Sequence, residues 1–324
     1  MSRSSVLVAL VVVCAACNAL VGYDNLEKIP ADPGRSSGGG GGGDGGGSGG
    51  RGDDDDDDDT TSDAGGTTSS SGGADASVTG RCDPAKPFGT PVRVDAFDGW
   101  SARLSIDELE AFWVGPQNSL HSAKRTSRDG PWASGGTILM NPKFLLLQSI
   151  TQNGNKIYYI PDNSDLVTRS STRADKNSAW NPGVKVDEPG TSDNIFYADG
   201  DDIVYLDAFK SGTSGERNLF TATLSGGVIS TSFQPIPVTD QAGVTEWHPV
   251  VNSSQTNLYF LRGDDPNARV FRAHRATKGA AWEAPTAEPI LDGADGDAPS
   301  WVSEDDCVIY LDRDTISFMA VRPK

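Results

Sequence analysis

The sequence predicts an all-β fold built from repeats, and three observations lead to it. A short run of β-branched and aromatic residues recurs at a near-constant interval. Each copy is followed by a polar strand and an aromatic turn that leads into a further strand. No stretch carries the 3.6-residue apolar period of a long amphipathic helix. Together these predict a five-bladed β-propeller with four-stranded blades.

The clearest copy is Pro299-Ser-Trp-Val-Ser-Glu-Asp-Asp-Cys-Val-Ile-Tyr-Leu-Asp312, a strand, an acidic turn and a second strand. Its second strand recurs as Leu109-Glu-Ala-Phe-Trp-Val114, Lys156-Ile-Tyr-Tyr-Ile160, Ile203-Val-Tyr-Leu-Asp207 and Leu258-Tyr-Phe-Leu261. Taking Phe112, Tyr159, Tyr205, Phe260 and Tyr310 as equivalent gives spacings of 47, 46, 55 and 50. Three copies align without gaps: Ser101–Phe112, Pro249–Phe260 and Pro299–Tyr310. The polar third strands begin at Leu120, Leu166, Asn218 and Arg269. The aromatic turns are Pro131-Trp132, Ala179-Trp-Asn-Pro182, Phe233-Gln-Pro235 and Ala281-Trp-Glu-Ala-Pro285.

The last unit stops at a third strand, Ile316–Val321, and the first is preceded by an orphan strand, Pro87–Val94. Joining the two completes a fifth blade from both chain ends and leaves no open edge for a second chain. Six blades is the alternative, which would need a further repeat, and unit 2 is the most degenerate copy.

Ahead of the propeller, 82–324, lie two other segments. Met1-Ser-Arg-Ser-Ser and the eleven apolar residues Val6–Ala16 have the shape of a signal peptide, 1–16. The apolar run is too short to cross a bilayer of about 30 Å as a helix. Cys14-Ala-Ala-Cys17 resembles the lipobox of bacterial lipoproteins, with Cys14 where leucine is usual. The resemblance implies acylation of Cys17 and a stable lipid anchor, the protein's one membrane contact. Asn18 in place of Asp implies the outer membrane of the cell envelope. An ordinary secretory signal cleaved near Ala16 is the alternative.

Residues 17–81 follow as a tether of low complexity. It contains Gly38–Gly43 and seven aspartates, Asp53–Asp59, and cannot bury enough apolar surface to order itself. Two Gly-x-Ser-x-Gly matches (34–38 and 46–50), Arg51-Gly-Asp53 and the aspartate run all fall here. The first needs a strained strand-to-helix turn, and a calcium site needs a folded loop, so this tract supports neither.

The pattern Pro-x-x-Ser-x-Asp-x-x-Val-Ile-Tyr resembles the TolB-type periplasmic propeller repeat, a relative of the WD-type blade. Ser105-Ile-Asp107-Glu, Ser253-Ser-Gln-Thr256 and Ser303-Glu-Asp305-Asp depart from the family's Ser-Pro-Asp-Gly turn. The tether stands where TolB has an α/β domain, so TolB's partner does not carry over.

The propeller segment carries 22 Lys/Arg against 32 Asp/Glu, a net charge of −10, which repels phosphate backbones and argues against nucleic acid. With Cys14 removed and Cys17 acylated, Cys82 and Cys307 remain, an even pair expected to form a disulfide in an oxidising compartment. Two cysteines without paired histidines make no tetrahedral zinc site, and no metal or cofactor is expected.

His248 precedes an inner strand, and the aligned neighbourhoods place Asp98, Asp193, Glu246 and Asp297 near the same channel mouth, together with Trp100 and Trp247. These seven are candidate ligand contacts at the channel mouth. The expected function is a non-enzymatic, monomeric envelope scaffold for an unidentified protein or glycan partner. A glycosidase or lyase using a carboxylate pair from this set is the alternative, resembling the arabinanase-like propellers.

Overall fold

A computed structural model of the chain describes residues 81–324, except 140–143, 152, 162–166, 187–191, 198–201, 210–215, 240, 265–266 and 294–296. The chain divides after Ser70, and all described residues fall in the second unit. The expected signal peptide, the lipidated Cys17 and the tether up to Gly80 lie outside the described residues.

The fold is a five-bladed β-propeller. β1 (Val92–Arg93) belongs to the last blade. Blade 1 is β2 (Trp100–Leu104), β3 (Glu110–Gly115), β4 (Ser119–Lys124) and β5 (Ala133–Leu139). Blade 2 is β6 (Phe144–Ile150), β7 (Lys156–Pro161), β8 (Arg169–Thr172) and β9 (Val184–Lys185). Blade 3 is β10 (Ser192–Tyr197), β11 (Ile203–Phe209) and β12 (Arg217–Ser225), with both β13 (Val228–Ile229) and β14 (Gln234–Pro235) along β12. Blade 4 is β15 (Glu246–Val251), β16 (Asn257–Arg262), β17 (Arg269–His274) and β18 (Thr286–Ala287). Blade 5 is β19 (Ala298–Val302), β20 (Val308–Arg313) and β21 (Ile316–Val321), completed by β1 through Val92↔Met319 and Arg93↔Phe318.

Both chain ends therefore build one blade, as the sequence predicts. The orphan strand is shorter than expected, two residues against eight. Pro91 lacks an N–H to give to a ladder, and Gly89 N–H instead meets Val321 O at 2.9 Å. A Cys82–Cys307 disulfide, 225 residues apart in sequence, staples the same closure.

The turn between the first two strands is a small machine repeated in four blades. Its first residue, Ser105, Thr151, Asn252 or Ser303, uses its side-chain oxygen to accept backbone N–H groups across the turn. Its fourth residue, Glu108, Gly154, Gln255 or Asp306, has φ between 56° and 71°. Only one of these four is glycine, so the other three hold a left-handed conformation that a bulky residue rarely adopts.

An arginine directly after the third strand secures each turn. Arg125, Arg173, Arg275 and Arg322 donate to the carbonyls of Glu108, Gly154, Gln255 and Asp306 at 2.6, 2.6, 2.6 and 2.9 Å. Each guanidinium lies over an aromatic ring, Trp132, Trp180, Trp282 and Phe88, at 4.3, 4.7, 4.1 and 3.7 Å from the centroid. In blades 1, 2 and 4 the ring stands seven residues after its arginine. In blade 5 Phe88 of the N-terminal segment supplies it.

These turns correct the repeat register. Counting four residues from each left-handed position reaches Phe112, Tyr158, Tyr259 and Tyr310. Tyr158 and Tyr259, not Tyr159 and Phe260, are the equivalents of Phe112 and Tyr310, and Asn252, not Ser253, opens the turn of blade 4. Tyr158-Tyr159 and Tyr259-Phe260 are aromatic pairs in which either residue fits the sequence pattern, and Asn252 fills the serine's role with a different side chain.

Candidate functional site

The inner strands β2, β6, β10, β15 and β19 each pack against the inner strands of both neighbouring blades, so together they surround a central channel. All five have a register irregularity against their second strand. At two of these bulges the extra residue is left-handed, Ser101 (φ 60°) and His248 (φ 53°).

Each bulge turns its N–H toward a carboxylate of the preceding blade. Ser101 N–H donates to Asp312 Oδ1 at 2.8 Å, and His248 N–H to Asp207 Oδ2 at 3.1 Å. Asp207 and Asp312 both end the Tyr-Leu-Asp phrase of their second strands. That phrase therefore fixes the bulge of the next blade, a role that sequence alone did not reveal.

Arg103 lies beside this network, buried, donating to Gln148 O at 2.8 Å and Ala102 O at 3.2 Å. Burial lowers its pKa to about 10, offset in part by the charge of Asp312. Burial likewise raises Asp312 to about 6, against the pull of Arg103 and the backbone N–H groups. His248 drops to about 3, first through burial and then through Arg103 and Arg217. The imidazole is neutral at physiological pH.

The seven sequence candidates occupy several settings. Asp98 is exposed and accepts the Trp113 indole N–H at 2.9 Å. Trp100 is half-buried against the core between blades 1 and 2. Asp193 lies on β10, and its side chain is outside the described residues. Glu246 is buried and paired with Arg262 at 2.8 Å. Asp297 is buried and held by Arg313 through two contacts of 2.6 Å. Trp247 donates its indole N–H to Gly263 O at 3.2 Å, and its ring lies 4.9 Å from that of His248.

Glu246–Arg262 and Asp297–Arg313 are equivalent braces of the first two strands in blades 4 and 5. Their arginines cover the strand-3 rings Phe271 and Phe318. Of the seven, Trp247 and His248 meet each other.

A second feature lies at the other, turn end of the inner strands. A cavity of about 40 Å³ is lined from all five blades by Arg103, Ile150, Phe196, Ser253 and Trp301, with Glu304 at its edge. Ser253 Oγ is buried without a hydrogen-bond partner among the described residues. Within the repeats its residues lie C-terminal to the seven candidate positions, and none is of a type that marks a cavity in the sequence. Among the described residues, no group of three His, Cys, Asp or Glu side chains is placed to hold a metal ion.

No protein-family model matches the sequence, and no curated protein matches it. Solved structures similar to the chain include TolB from Acinetobacter baumannii, 11% identical with a TM-score of 0.41, covering 69% of this chain and 54% of that one. The chain thus spans about half the length of that TolB. A putative TolB from Agrobacterium tumefaciens is 16% identical, TM-score 0.40, covering 74% of this chain and 91% of that chain. An α-L-arabinofuranosidase from Lactobacillus brevis is 11% identical, TM-score 0.45, covering 71% and 92%.

These figures describe a likeness of fold, and the five-bladed assignment rests on the strand topology itself. The comparisons do correct one expectation, that of a non-enzymatic protein. A family-43 glycoside hydrolase, an arabinanase and a gluconolactonase also stand among the similar structures. Enzymes and TolB alike have this type of fold, so the propeller alone does not decide enzymatic status.

Proposed function

We propose that the chain is a lipid-anchored protein of the cell envelope, carried on the outer membrane, whose propeller presents a rigid binding face to a protein or glycan partner. The apolar run ending in Ala15-Ala16-Cys17 supports the anchor, and the low-complexity tract after it supports a spacer. The tether holds the propeller away from the lipid surface as a monomeric module.

The observation that carries the binding role is the turn-end cavity. All five blades contribute to it, so it exists only when the ring is closed. Its Arg103 guanidinium meets carbonyls at its two direct contacts, and Ser253 Oγ adds an unmatched polar atom. A hydroxyl or carboxylate oxygen of a ligand suits these groups, and the apolar walls of Ile150, Phe196 and Trp301 exclude water around it.

Ser253→Trp tests this by filling the cavity from a partly exposed position. A partner captured from envelope extracts by the wild-type protein is expected to be lost with Ser253→Trp at unchanged Tm. Equal capture by both ends the binding reading. The anchor has its own test: Cys17→Ala abolishes labelling by a clickable fatty acid, and persistent labelling removes the lipoprotein assignment.

A further inference from the structure

The seam between blades 4 and 5 and the seam between blades 5 and 1 are built on the same plan but end differently. At the first, Tyr259 donates its hydroxyl to Asp306 at 2.5 Å, and Arg272 and Arg322 flank that carboxylate at 2.9 and 3.3 Å. At the second, Tyr310 and Glu108 hold the equivalent positions. There Arg81, a residue outside the repeat, takes the carboxylate of Glu108 through contacts of 2.7 and 2.8 Å.

The Tyr310 hydroxyl is left buried without an acceptor among the described residues; the group beside it is the Trp132 indole N–H, which can only donate. A buried hydroxyl without an acceptor is costly and points to a ligand or water in the cleft.

The charge around it is also unusual for an acidic domain. Arg81, Arg125 and Arg128 surround Glu108 at 2.7, 3.2 and 3.9 Å, with Arg81 also touching Asp305 at 3.1 Å. Arg81 Nε has no partner among the described residues. The cleft measures about 790 Å³, and six cationic side chains line it against three acidic ones. The cleft at the other seam, about 500 Å³, is lined by Arg272 and His274 against four acidic side chains.

We propose that the cleft between blades 5 and 1 is a docking site for an acidic peptide segment of a partner protein. One carboxylate accepts from the Tyr310 hydroxyl and the spare donors of Arg81 and Arg125, and Arg93 and Arg128 at the rim take a second. Guanidinium groups suit carboxylates because their planar donors bind both oxygens at once. The remaining walls, Val94, Met319 and the 41% exposed Val321, receive apolar side chains of the same segment. Arg125 covers Trp132 and Tyr310 is buried, so these two rings offer no open face for stacking a sugar. This excludes the usual aromatic platform for a glycan. The site is independent of the channel cavity and of the lipid anchor.

The test titrates the full chain into fluorescein-labelled hexaglutamate and follows anisotropy, with a Ser/Gly hexapeptide, polygalacturonate and inorganic phosphate in parallel arms. Hexaglutamate is expected to bind and the Ser/Gly peptide not to. Replacing both rim arginines (Arg93→Ala with Arg128→Ala) weakens binding about tenfold through loss of charge-assisted bonds. Tyr310→Phe weakens it about fivefold at unchanged Tm, as expected for one hydrogen bond to a charged group. Hexaglutamate failing to bind, or binding unchanged in both variants, overturns the proposal. Polygalacturonate binding where hexaglutamate does not assigns the cleft to an acidic glycan and overturns the peptide. Displacement of hexaglutamate by low-millimolar phosphate reduces it to a general oxyanion site and does the same.

Discussion

The two seams flanking blade 5 compare a repeat left alone with a repeat that an outside residue has altered. Between blades 4 and 5, tyrosine, acid and arginines satisfy one another, and the cleft beside them is predominantly acidic. Between blades 5 and 1, Arg81 takes the acid, the tyrosine is orphaned and a basic cleft results. The two seams differ at three places: Met319 stands opposite Tyr310 where Arg272 stands opposite Tyr259, Glu108 replaces Asp306, and Arg81 from outside the repeat supplies a cation to the acid. The same N-terminal segment contributes Cys82 and Phe88, so closure of the ring and modification of the seam come from one stretch.

The largest expected effect lies in that closure. Cys82→Ser with Cys307→Ser opens a loop of more than two hundred residues, and chain entropy sets the loss near 5 kcal/mol, an upper bound. Denaturant unfolding of the double variant measures it, and a midpoint equal to wild type would show that the remaining contacts close the ring alone. Next comes Arg322→Met, which removes the guanidinium from Asp306, Tyr259 and Phe88 in the satisfied seam. Leaving Asp306 with less compensation costs about 3–5 kcal/mol. A much smaller loss would mean that Arg272 alone neutralises that carboxylate.

The channel provides a pH test on which two groups, the partly buried His248 and Asp312, act in opposite directions. His248 has a folded pKa near 3, far below the ordinary 6.5, so its contribution is complete above 6.5 and is lost as pH falls toward 3. Asp312, raised from 3.8 to about 6, favours the folded state as pH falls through that window. The histidine shift is the larger, so stability is expected to fall between pH 6.5 and 3. His248→Asn retains tolerance of the left-handed bulge and is expected to flatten or reverse that slope in thermal melts. An unchanged slope would assign acid sensitivity elsewhere.

The smallest effects come from a matched pair. Tyr259→Phe, which takes one donor from Asp306 and leaves it to Arg272 and Arg322, costs about 1–3 kcal/mol, whereas Tyr310→Phe removes a hydroxyl without an acceptor and costs close to none. Equal losses in urea titrations would show that the seams do not differ as described.

Much of this was legible in residues 82–324. Period, strand composition, blade closure and the cysteine pair follow from local patterning and chain connectivity, which a sequence expresses directly. The arginine latch also has a sequence trace, Arg125-x6-Trp132, Arg173-x6-Trp180 and Arg275-x6-Trp282, in which the tryptophans mark the turns and the fold gives the arginines their role. Register at Tyr158 and Tyr259 was not legible, because two adjacent aromatics satisfy the same pattern and only the backbone fixes which one faces the neighbouring blade.

The channel residues mark the limit more clearly. Sequence placed Glu246, Asp297 and His248 near the axis but could not distinguish a carboxylate open to a ligand from one paired across its own hairpin. By itself the sequence determined how many blades there are and which chain ends meet, since both depend on the order and spacing of strands. Tertiary structure decided which carboxylates were taken by arginines, which bulges turned inward and which tyrosine lost its acid. Those outcomes depend on distances of a few ångströms between residues up to 225 positions apart, and electrostatic and hydrogen-bond energies change steeply on that scale.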